Sequence, residues 1–544
     1  MSNSLQKAIL PAIDASFLAK TIMALASLLI SASVVWHNIP VLTEGWPVKG
    51  PDQMLPHYLV APLSTLLLAW AIFFSSRAAL QGFSSVRSSL RTTEGRTFHI
   101  SFAIVFLFFL AVIASQYPGW IIEDAIYTYH MARSGFWSGW YSPVNPLIYT
   151  LLLQIIPSIL FVTICNAALA AYVIAAFCSK AAKNLRSIKA PLLVAVITAV
   201  LPVTMAMILM PIRDSFFTSF LLLFVLLVYG SLRRENSAMR LVLMGALGGL
   251  VAVYRIDAAP SILVLVCVTA LFSKGSPQRK AVALCSQIIG CFAIFAAVNA
   301  IPHILGDTWE KRAENEYKMT IISLPLTNLV KDGVYPAASD PRRQAIEKVF
   351  KYEDLRRLWH PTNILIFYGG GFNEKSSVAE REAAASAAVS LFLENPGSFL
   401  AGRFSLFLAT TGLSNMNPFV YYSIADLEKR GVALPLQSSW VKQTGEAFEG
   451  FMLKTQNFDG MTLSGRFLFW NVLPAFLIFS VIILAWPYCP KAALISAPFL
   501  LREAVVFLSA PAAFFHYHFS TYIGAILIAL LAYSEWKAAT RKVA

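Results

Sequence analysis

The chain has 544 residues, of which 57% are hydrophobic and only 13% are charged, and its formal net charge is +14. A soluble protein of this size has about 25% charged residues, and apolar stretches of about 20 residues match the hydrocarbon thickness of a bilayer. The composition therefore excludes an ordinary soluble enzyme and predicts an all-α polytopic membrane protein.

Apolar stretches predict about 12 membrane spans along the chain. They lie near 17–36, 57–76, 98–116, 147–178, 190–210, 215–232, 240–254, 258–272, 282–301, 466–486, 491–510 and 515–533. The fourth stretch is too long for one perpendicular crossing. Pro157 is expected to split it into a short re-entrant piece and a true span, because proline interrupts the hydrogen bonding of a helix interior.

Positive charge is concentrated in alternate loops. The basic residues of these loops are Arg77, Arg87, Arg91, Arg96, Lys180, Lys183, Arg186, Lys189, Arg233, Arg234, Arg240, Lys274, Arg279, Lys280, Lys537, Arg541 and Lys542. Because cytoplasmic loops carry an excess of Lys and Arg, these loops and both termini are predicted to be cytoplasmic. The sequence has no Arg-rich arm or basic stripe interleaved with aromatic residues, so nucleic-acid binding is not expected.

A loop at 117–146 combines acidic and aromatic residues and is predicted to lie on the outer side. Glu123 and Asp124 are neighbours, so on a helix they point about 100° apart and only one can face a given substrate atom. We expect Asp124 to act as a general base and Glu123 to help in positioning; the structural alternative is a solvated loop end or a helix cap. Trp120 and Tyr127 are expected either to stack on sugar rings or to form an interfacial aromatic belt.

Two further pairs of opposite charge are predicted on the same side. Arg213 and Asp214 open a span, where Asp214 suits a helix N-cap and Arg213 suits bidentate contact with a phosphate. Arg255 and Asp257 lie in the tight connection between two apolar runs, where they can pair with each other or hold an anionic head group. All four are therefore candidate substrate-binding residues.

Ionisable residues also occur at the last two spans. Arg502 lies beside Glu503 inside the penultimate span, where charged groups are costly, so it is expected to form a structural pair or to contact an anionic substrate. His516 and His518 are about 200° apart on a helix, so they are expected to pack or to bind substrate rather than chelate a metal. No cofactor and no metal site is indicated, and a divalent metal is left open.

Residues 302–465 form the largest polar region, which is predicted to be mainly helical and extracytoplasmic. Within it, the apolar stretch near 397–413 contains Arg403, a candidate substrate ligand, and is expected to form an interfacial or re-entrant helix. The chain thus divides into two extra N-terminal spans with a cytoplasmic loop (1–97), a core membrane domain (98–301), the extracytoplasmic region (302–465) and the C-terminal spans (466–544).

The order of three elements resembles the GT-C superfamily of integral-membrane glycosyltransferases. These elements are a span, then an outer loop with an acidic pair and aromatic residues, and then a proline-bounded return to the membrane. The likeness covers 98–330 and is carried by Glu123-Asp124, Tyr141-Ser142-Pro143-Val144-Asn145-Pro146, Arg213-Asp214 and Arg255-Ile256-Asp257. The chain departs from the pattern in two places. Two spans precede the expected first one, and His516-Tyr517-His518 stands where similar families often have an Arg-Tyr pair.

The resemblance implies a GT-C-like helical bundle that takes a sugar from a polyprenyl-phosphate donor, with an Asp or Glu of the first outer loop as base. The acceptor that it implies is an envelope glycan, lipid or protein at the outer face of a bacterial inner membrane. Three alternatives remain open: a polysaccharide polymerase or ligase that uses lipid-pyrophosphate glycans, a membrane transporter, and a protein that binds lipid without chemistry.

Overall fold

The computed structural model describes residues 15–43, 54–80, 88–140, 142–414, 424–430, 432, 439–456 and 465–543. The described residues are 81% helical. Two short strands, Trp137–Ser138 (β1) and Trp309–Glu310 (β2), pair in parallel. The predicted class of polytopic helical membrane protein is thereby confirmed. Tyr141, an aromatic residue of the predicted outer loop, lies outside the described residues.

The membrane part of the chain before residue 306 is built from consecutive helices. They are α1 (Ala15–Thr43), α2 (Leu55–Leu80), α3 (Thr93–Ser115), α4 (Glu123–Ser134), α5 (Val144–Ile155), α6 (Ile159–Leu185), α7 (Lys189–Val200), α8 (Pro202–Leu209), α9 (Arg213–Ser231), α10 (Ala238–Tyr254), α11 (Ala259–Phe272) and α12 (Pro277–Leu305). A 3-10 turn at Ile256–Ala258 connects α10 to α11.

The polar region is mainly helical in its described residues, and the chain then returns to long apolar helices. The polar region contains α13 (Lys311–Lys331), α14 (Pro341–Glu347), α15 (Tyr352–Arg357), α16 (Val378–Glu394), α17 (Pro396–Thr410), α18 (Ile424–Lys429) and α19 (Ser439–Gln456). The C-terminal part contains α20 (Gly465–Phe469), α21 (Leu473–Leu484), α22 (Pro490–Ser509) and α23 (Phe519–Val543), with a 3-10 turn at Phe515–His518 before α23.

The number of helices that can cross a membrane differs from the predicted number of spans. Among the described residues, 9 helices are long and apolar enough, or 10 if α7 and α8 together form one span. The difference from the 12 predicted spans comes from α10 and from α11 with its preceding turn, which are apolar but too short to be counted. Helix α5 is also short, and it corresponds to the re-entrant piece predicted for the fourth stretch. Helix α17 has 15 residues and is not among the candidate spans.

Prolines interrupt two of the predicted spans. The fourth stretch breaks between α5 and α6 at residues 156–158, as Pro157 predicts. The fifth, predicted as a single span near 190–210, bends by 63° between α7 and α8. Leu201 is extended at this bend, with φ −63° and ψ 131°, because the ring of Pro202 disfavours helical geometry in the residue before it.

Small residues bring α10 and α12 into close contact. A Cβ atom on Gly249 would lie 2.7 Å from the carbonyl oxygen of Cys291, so only glycine permits this backbone approach. The Sγ of Cys291 also donates to the carbonyl of Gly245 across the same contact, at 3.0 Å. This contact holds α10 in place, and α10 ends directly before Arg255.

Basic loops gather at one end of the helical bundle, called the basic end here. Lys183 pairs with Glu94 at 3.1 Å, and the guanidinium of Arg541 donates to the carbonyl of Leu185 at 3.1 Å. The charge of Arg234 acts on both Lys180 and Lys491, which places these loops near one another. The clustering agrees with the predicted sidedness of the loops.

Candidate functional site

Eight ionisable side chains, called the buried charge cluster here, meet at the end of the bundle opposite the basic end. They are Arg213, Asp214, Arg255, Asp257, Arg502, Glu503, His516 and His518. Helix α9 joins the two ends: it begins at the cluster, and its 19 residues cover about 28 Å before the basic residues that follow it. The sequence predicted each pair separately, and the structure brings all of them together.

Asp257 lies at the centre of the cluster because it forms ion pairs with two arginines. The Nε of Arg255 lies 2.8 Å from Oδ1 of Asp257, and Nη2 of Arg502 lies 2.9 Å from Oδ2. Arg255 also pairs with Asp214, so the cations and anions alternate. Asp214 does not cap its helix, since the N-cap of α9 is Ile212. The expected local pair of Arg255 and Asp257 is present, as one link of a larger network.

Glu503 extends the cluster to the last helix. It pairs with Arg502 at 3.4 Å and with Nδ1 of His518 at 2.5 Å, and it accepts from the hydroxyl of Thr521. Arg502 in turn donates to the carbonyl of Tyr517 at 2.8 Å. These contacts tie α22 to the turn before α23 and confirm the predicted structural pairing of Arg502 with Glu503.

The two histidines face different acids, so they do not form a joint metal site. His516 lies 4.0 Å from Asp214, whereas His518 contacts Glu503. Among the described residues, no group of three or more His, Cys, Asp or Glu side chains is arranged to hold a metal ion.

Arg213 is the most accessible cation of the cluster. Its side chain is 13% exposed, compared with 6% for Arg255 and 1% for Arg502. Its Nε lies 3.9 Å from Asp214, which is beyond hydrogen-bond length. Arg255 and Arg502 are held by closer carboxylates and by aromatic faces, and both guanidinium groups lie over the ring of Phe217 at 5.6 and 5.1 Å.

A set of backbone contacts fixes the turn between α8 and α9 that presents Arg213. The hydroxyl of Tyr149 donates to the carbonyl of Pro211, and the backbone N–H of Trp120 donates to the carbonyl of Leu209 at 2.9 Å. Gly119 has φ +123°, and a Cβ there would lie 2.6 Å from the same Leu209 oxygen. The predicted outer loop therefore packs directly against the start of α9.

Asp124 lies in the first turn of α4, which is linked to the cluster by hydrogen bonds. The backbone carbonyl of Asp124 accepts from Thr128 at 2.8 Å, and Thr128 accepts from the amide of Asn145 at 2.8 Å. The hydroxyl of Tyr254 then donates to Asn145 at 3.0 Å. Since Tyr254 immediately precedes Arg255, this chain of contacts fixes α4 relative to the buried charge cluster.

Asp124 is partly buried, whereas Glu123 lies at the surface. The charge of Asp124 acts on the hydroxyls of Tyr149, Tyr368 and Tyr517, and Tyr517 also interacts with Arg213 and Arg255. Glu123 has a 64% exposed side chain and pairs with Arg430 at 3.1 Å. Neither residue is a helix N-cap, since Ile122 occupies that position.

The two aromatic candidates of the outer loop pack against other parts of the protein. Trp120 is 2% exposed, and its indole N–H donates to Gln116 at 2.7 Å. Tyr127 is half-buried beside the core that contains Trp137 and Trp309. Burial, more than the nearby acids, raises the pKa of the Tyr127 hydroxyl, so it stays protonated at neutral pH. Trp120 therefore packs inside the protein, whereas the two alternatives for Tyr127, stacking on a sugar or forming part of an aromatic belt, stay predictions.

Arg403 makes structural contacts inside the protein, whereas the sequence predicted that it would bind substrate. It is 2% exposed, and it donates to the carbonyls of Ala510 at 2.7 Å and Ile321 at 2.6 Å. Pro325 lies inside α13 and leaves the Ile321 carbonyl without its usual helical donor. Burial lowers the pKa of Arg403 to about 10, so the side chain stays cationic at neutral pH and fulfils this role.

Replacing Arg403 with Leu is expected to lower the free energy of unfolding by about 2 kcal/mol, because two buried carbonyls lose their donor. The measurement is the unfolding midpoint of the purified protein in detergent. Arg357→Leu is the control, since Arg357 is 65% exposed and pairs with Asp354 within its own helix. Equal midpoints for the two variants would contradict the structural role of Arg403.

Three tyrosines near the site were not predicted from the sequence. Tyr317 belongs to α13 and interacts with Arg255, Tyr368 and Tyr517. Trp140 packs edge-on against Tyr317 at 5.6 Å, which connects the outer loop to the polar region. Only Tyr517 had a local signal, because it stands between the two predicted histidines; Tyr317 and Tyr368 are distant in the sequence.

The site thus combines a carboxylate at the start of α4 with a buried network of three arginines, and hydrogen bonds through Thr128 and Asn145 link the two. Such an arrangement can accept a proton from a hydroxyl and stabilise an anion. Comparison of the chain with protein-family models, with curated proteins and with solved structures finds no match in any of the three.

Proposed function

We propose that the protein is a membrane glycosyltransferase that moves a sugar from a polyprenyl-phosphate carrier to an envelope acceptor, which is a glycan, a lipid or a protein. In this proposal the reaction takes place on the outer face of a bacterial inner membrane, and both termini of the chain are cytoplasmic. The basic end of the bundle then faces the cytoplasm, in keeping with the distribution of Lys and Arg.

One observation carries the proposal: at one end of a membrane bundle, hydrogen bonds through Thr128 and Asn145 link the backbone of Asp124 to Tyr254, the residue before Arg255 of the buried charge cluster. The charge of Asp124 and the charge of Arg213 both act on Tyr517. Buried ionisable groups in membrane helices are costly and usually serve function. A general base and an anion-stabilising cation are the two groups that sugar transfer from a lipid phosphate requires.

The proposed reaction forms one bond and breaks one. Asp124 accepts the proton of an acceptor hydroxyl, and the oxygen attacks the anomeric carbon of the donor sugar. The bond from that carbon to the phosphate oxygen breaks, and the lipid phosphate leaves with the electron pair. Arg213 would stabilise the charge that develops on the phosphate, because a guanidinium matches its oxygens bidentately. Tyr317 and Tyr368 would border the acceptor.

The assay that tests the proposal uses the full chain in proteoliposomes with a radiolabelled polyprenyl-phosphate sugar. We expect label to move to an extracted envelope fraction only when both protein and donor are present. The matched comparison uses lipid donors that carry a preassembled glycan through a pyrophosphate link. Exclusive use of those donors would assign the protein to the polymerases or ligases, and failure with every lipid-linked sugar would refute the proposal.

A transporter is the second candidate function, and the 63° bend between α7 and α8 favours it. Interrupted helices near the middle of a membrane are typical of transporters, where they place helix ends at a substrate site. Helix α5, with 12 residues, is also too short to cross alone. Uptake of a sugar-linked lipid or a free sugar into protein-containing vesicles, with no transfer product, would favour this alternative.

A further inference from the structure

A cavity opens at the basic end of the bundle, far from the buried charge cluster. It has a volume of about 430 Å³. Three segments form it: the residues that follow α6, the start of α7 and the end of α23. The lining consists of Leu185, Ser187, Lys189, Ala190, Tyr533, Lys537, Thr540 and Arg541. We propose that this cavity binds the phosphate headgroup of an anionic phospholipid.

Charge is the first argument for this ligand. Lys189, Lys537 and Arg541 supply three cations, and the lining that the structure describes contains no acidic side chain. Glu535, two residues before Lys537, accepts from the backbone N–H of Lys491 at 3.2 Å and is not a lining residue. Basic pockets between membrane helices are suited to lipid phosphates. The hydroxyls of Ser187 and Thr540 add polar contacts beside the cations.

Two of the three cations, Arg541 and Lys537, are held in place by contacts within the protein. Arg541 donates to the carbonyls of Leu185 at 3.1 Å and Asn184 at 3.5 Å, which lie at the C-terminal end of α6. The Nζ of Lys537 lies 4.9 Å from the ring centre of Trp536. Fixing long side chains before binding reduces the conformational entropy that the ligand must remove.

An apolar surface that continues from the cavity identifies the source of the phosphate as a lipid. Leu193, Val196, Ile197 and Val200 of α7 are 60%, 36%, 43% and 44% exposed. Their spacing places them on one face of the helix, and the face begins one turn after Lys189. Tyr533 extends the same apolar surface from α23. An acyl chain can lie along this face while the headgroup occupies the cavity, whereas a free phosphate uses only the cations.

The experiment measures phosphatidylglycerol binding to the purified full chain by native mass spectrometry, with phosphatidylcholine as the neutral comparison. The test variant is Lys189→Gln with Lys537→Gln. The control is Lys274→Gln with Lys280→Gln, which removes the same charge at the same end outside the cavity lining. A nearby charge contributes about fivefold to the attraction of an anionic lipid, so the test variant is expected to bind about 25-fold more weakly and the control like the wild type.

Several results would overturn the proposal: equal losses in both double variants, equal affinity for phosphatidylcholine, or displacement of the lipid by inorganic phosphate at the same concentration. Unfolding midpoints in detergent show whether each variant is folded. If the double variant is not folded, the single variant Lys189→Gln is used in its place to measure lipid binding, because Lys189 is exposed. Loss of sugar transfer is not the readout, so this test stands apart from the proposed function.

Discussion

Replacing Asp124 with Asn is expected to lower sugar transfer by about 100- to 10,000-fold, which is the usual contribution of a positioned general base. Asn has nearly the same shape as Asp, and the backbone carbonyl of residue 124 keeps its hydrogen bond from Thr128. The start of α4 should therefore stay in place while the proton acceptor is lost. The measurement is the initial rate of transfer from a polyprenyl-phosphate sugar, normalised to protein inserted in vesicles.

Glu123→Gln is the matched control, because it makes the same chemical change in the neighbouring residue. The Glu123 side chain is 64% exposed and pairs with Arg430 on the surface, where such pairs contribute about 0–1 kcal/mol. Its transfer rate is expected to stay within about fivefold of the wild type. Full activity in both variants would remove the acidic loop from the mechanism, and an equal loss in both would contradict the assignment of Asp124 alone.

The helical framework was largely predictable, because hydropathy and proline act locally. Apolar length predicted the membrane helices, and Pro157 predicted the break between α5 and α6. The number of spans stays a prediction, since apolar character alone does not distinguish a full crossing from the shorter helices α10 and α11. The bend at Leu201 was missed, although Pro202 was a local signal for it.

The composition of the site was predictable in part, and its connectivity was not. Costly charges in apolar segments pointed to Asp214, Asp257 and Glu503 separately. Their joining through Arg255 and Arg502 depends on how distant helices pack, and no local pattern encodes that. The same reason explains why Tyr317 and Tyr368 of the polar region were not predicted. Arg403 was assigned to substrate because the sequence could not show which carbonyls would surround it.

Burial makes the charge cluster intolerant of the loss of a single partner. Arg255 and Arg502 share the carboxylate of Asp257 and are 6% and 1% exposed. Removing one partner from a buried ion pair leaves an uncompensated charge, which costs more than the pair contributes. The three arginines of the cluster are matched by three carboxylates, so the loss of any carboxylate leaves excess positive charge away from water.

Asp257→Asn is therefore expected to lower the free energy of unfolding by about 3–5 kcal/mol. The measurement is an unfolding titration in mixed detergent micelles, followed by circular dichroism. Glu235→Gln is the control: it removes the partner of Arg279 in a pair whose side chains are 68% and 65% exposed, where the expected loss is about 0–1 kcal/mol. Similar losses in the two variants would show that Asp257 is not a buried partner.

A second substitution separates unpaired charge from a simple loss of packing. In the Asp257→Asn background, Arg502→Met removes one of the two cations that the variant leaves under-compensated. If excess buried charge causes the loss, the double variant should be more stable than the sum of the two single effects predicts, with an interaction energy of about 0.5–3 kcal/mol. Strict additivity would mean that Arg502 and Asp257 do not interact through charge, and the alternating network at the site would not hold in solution.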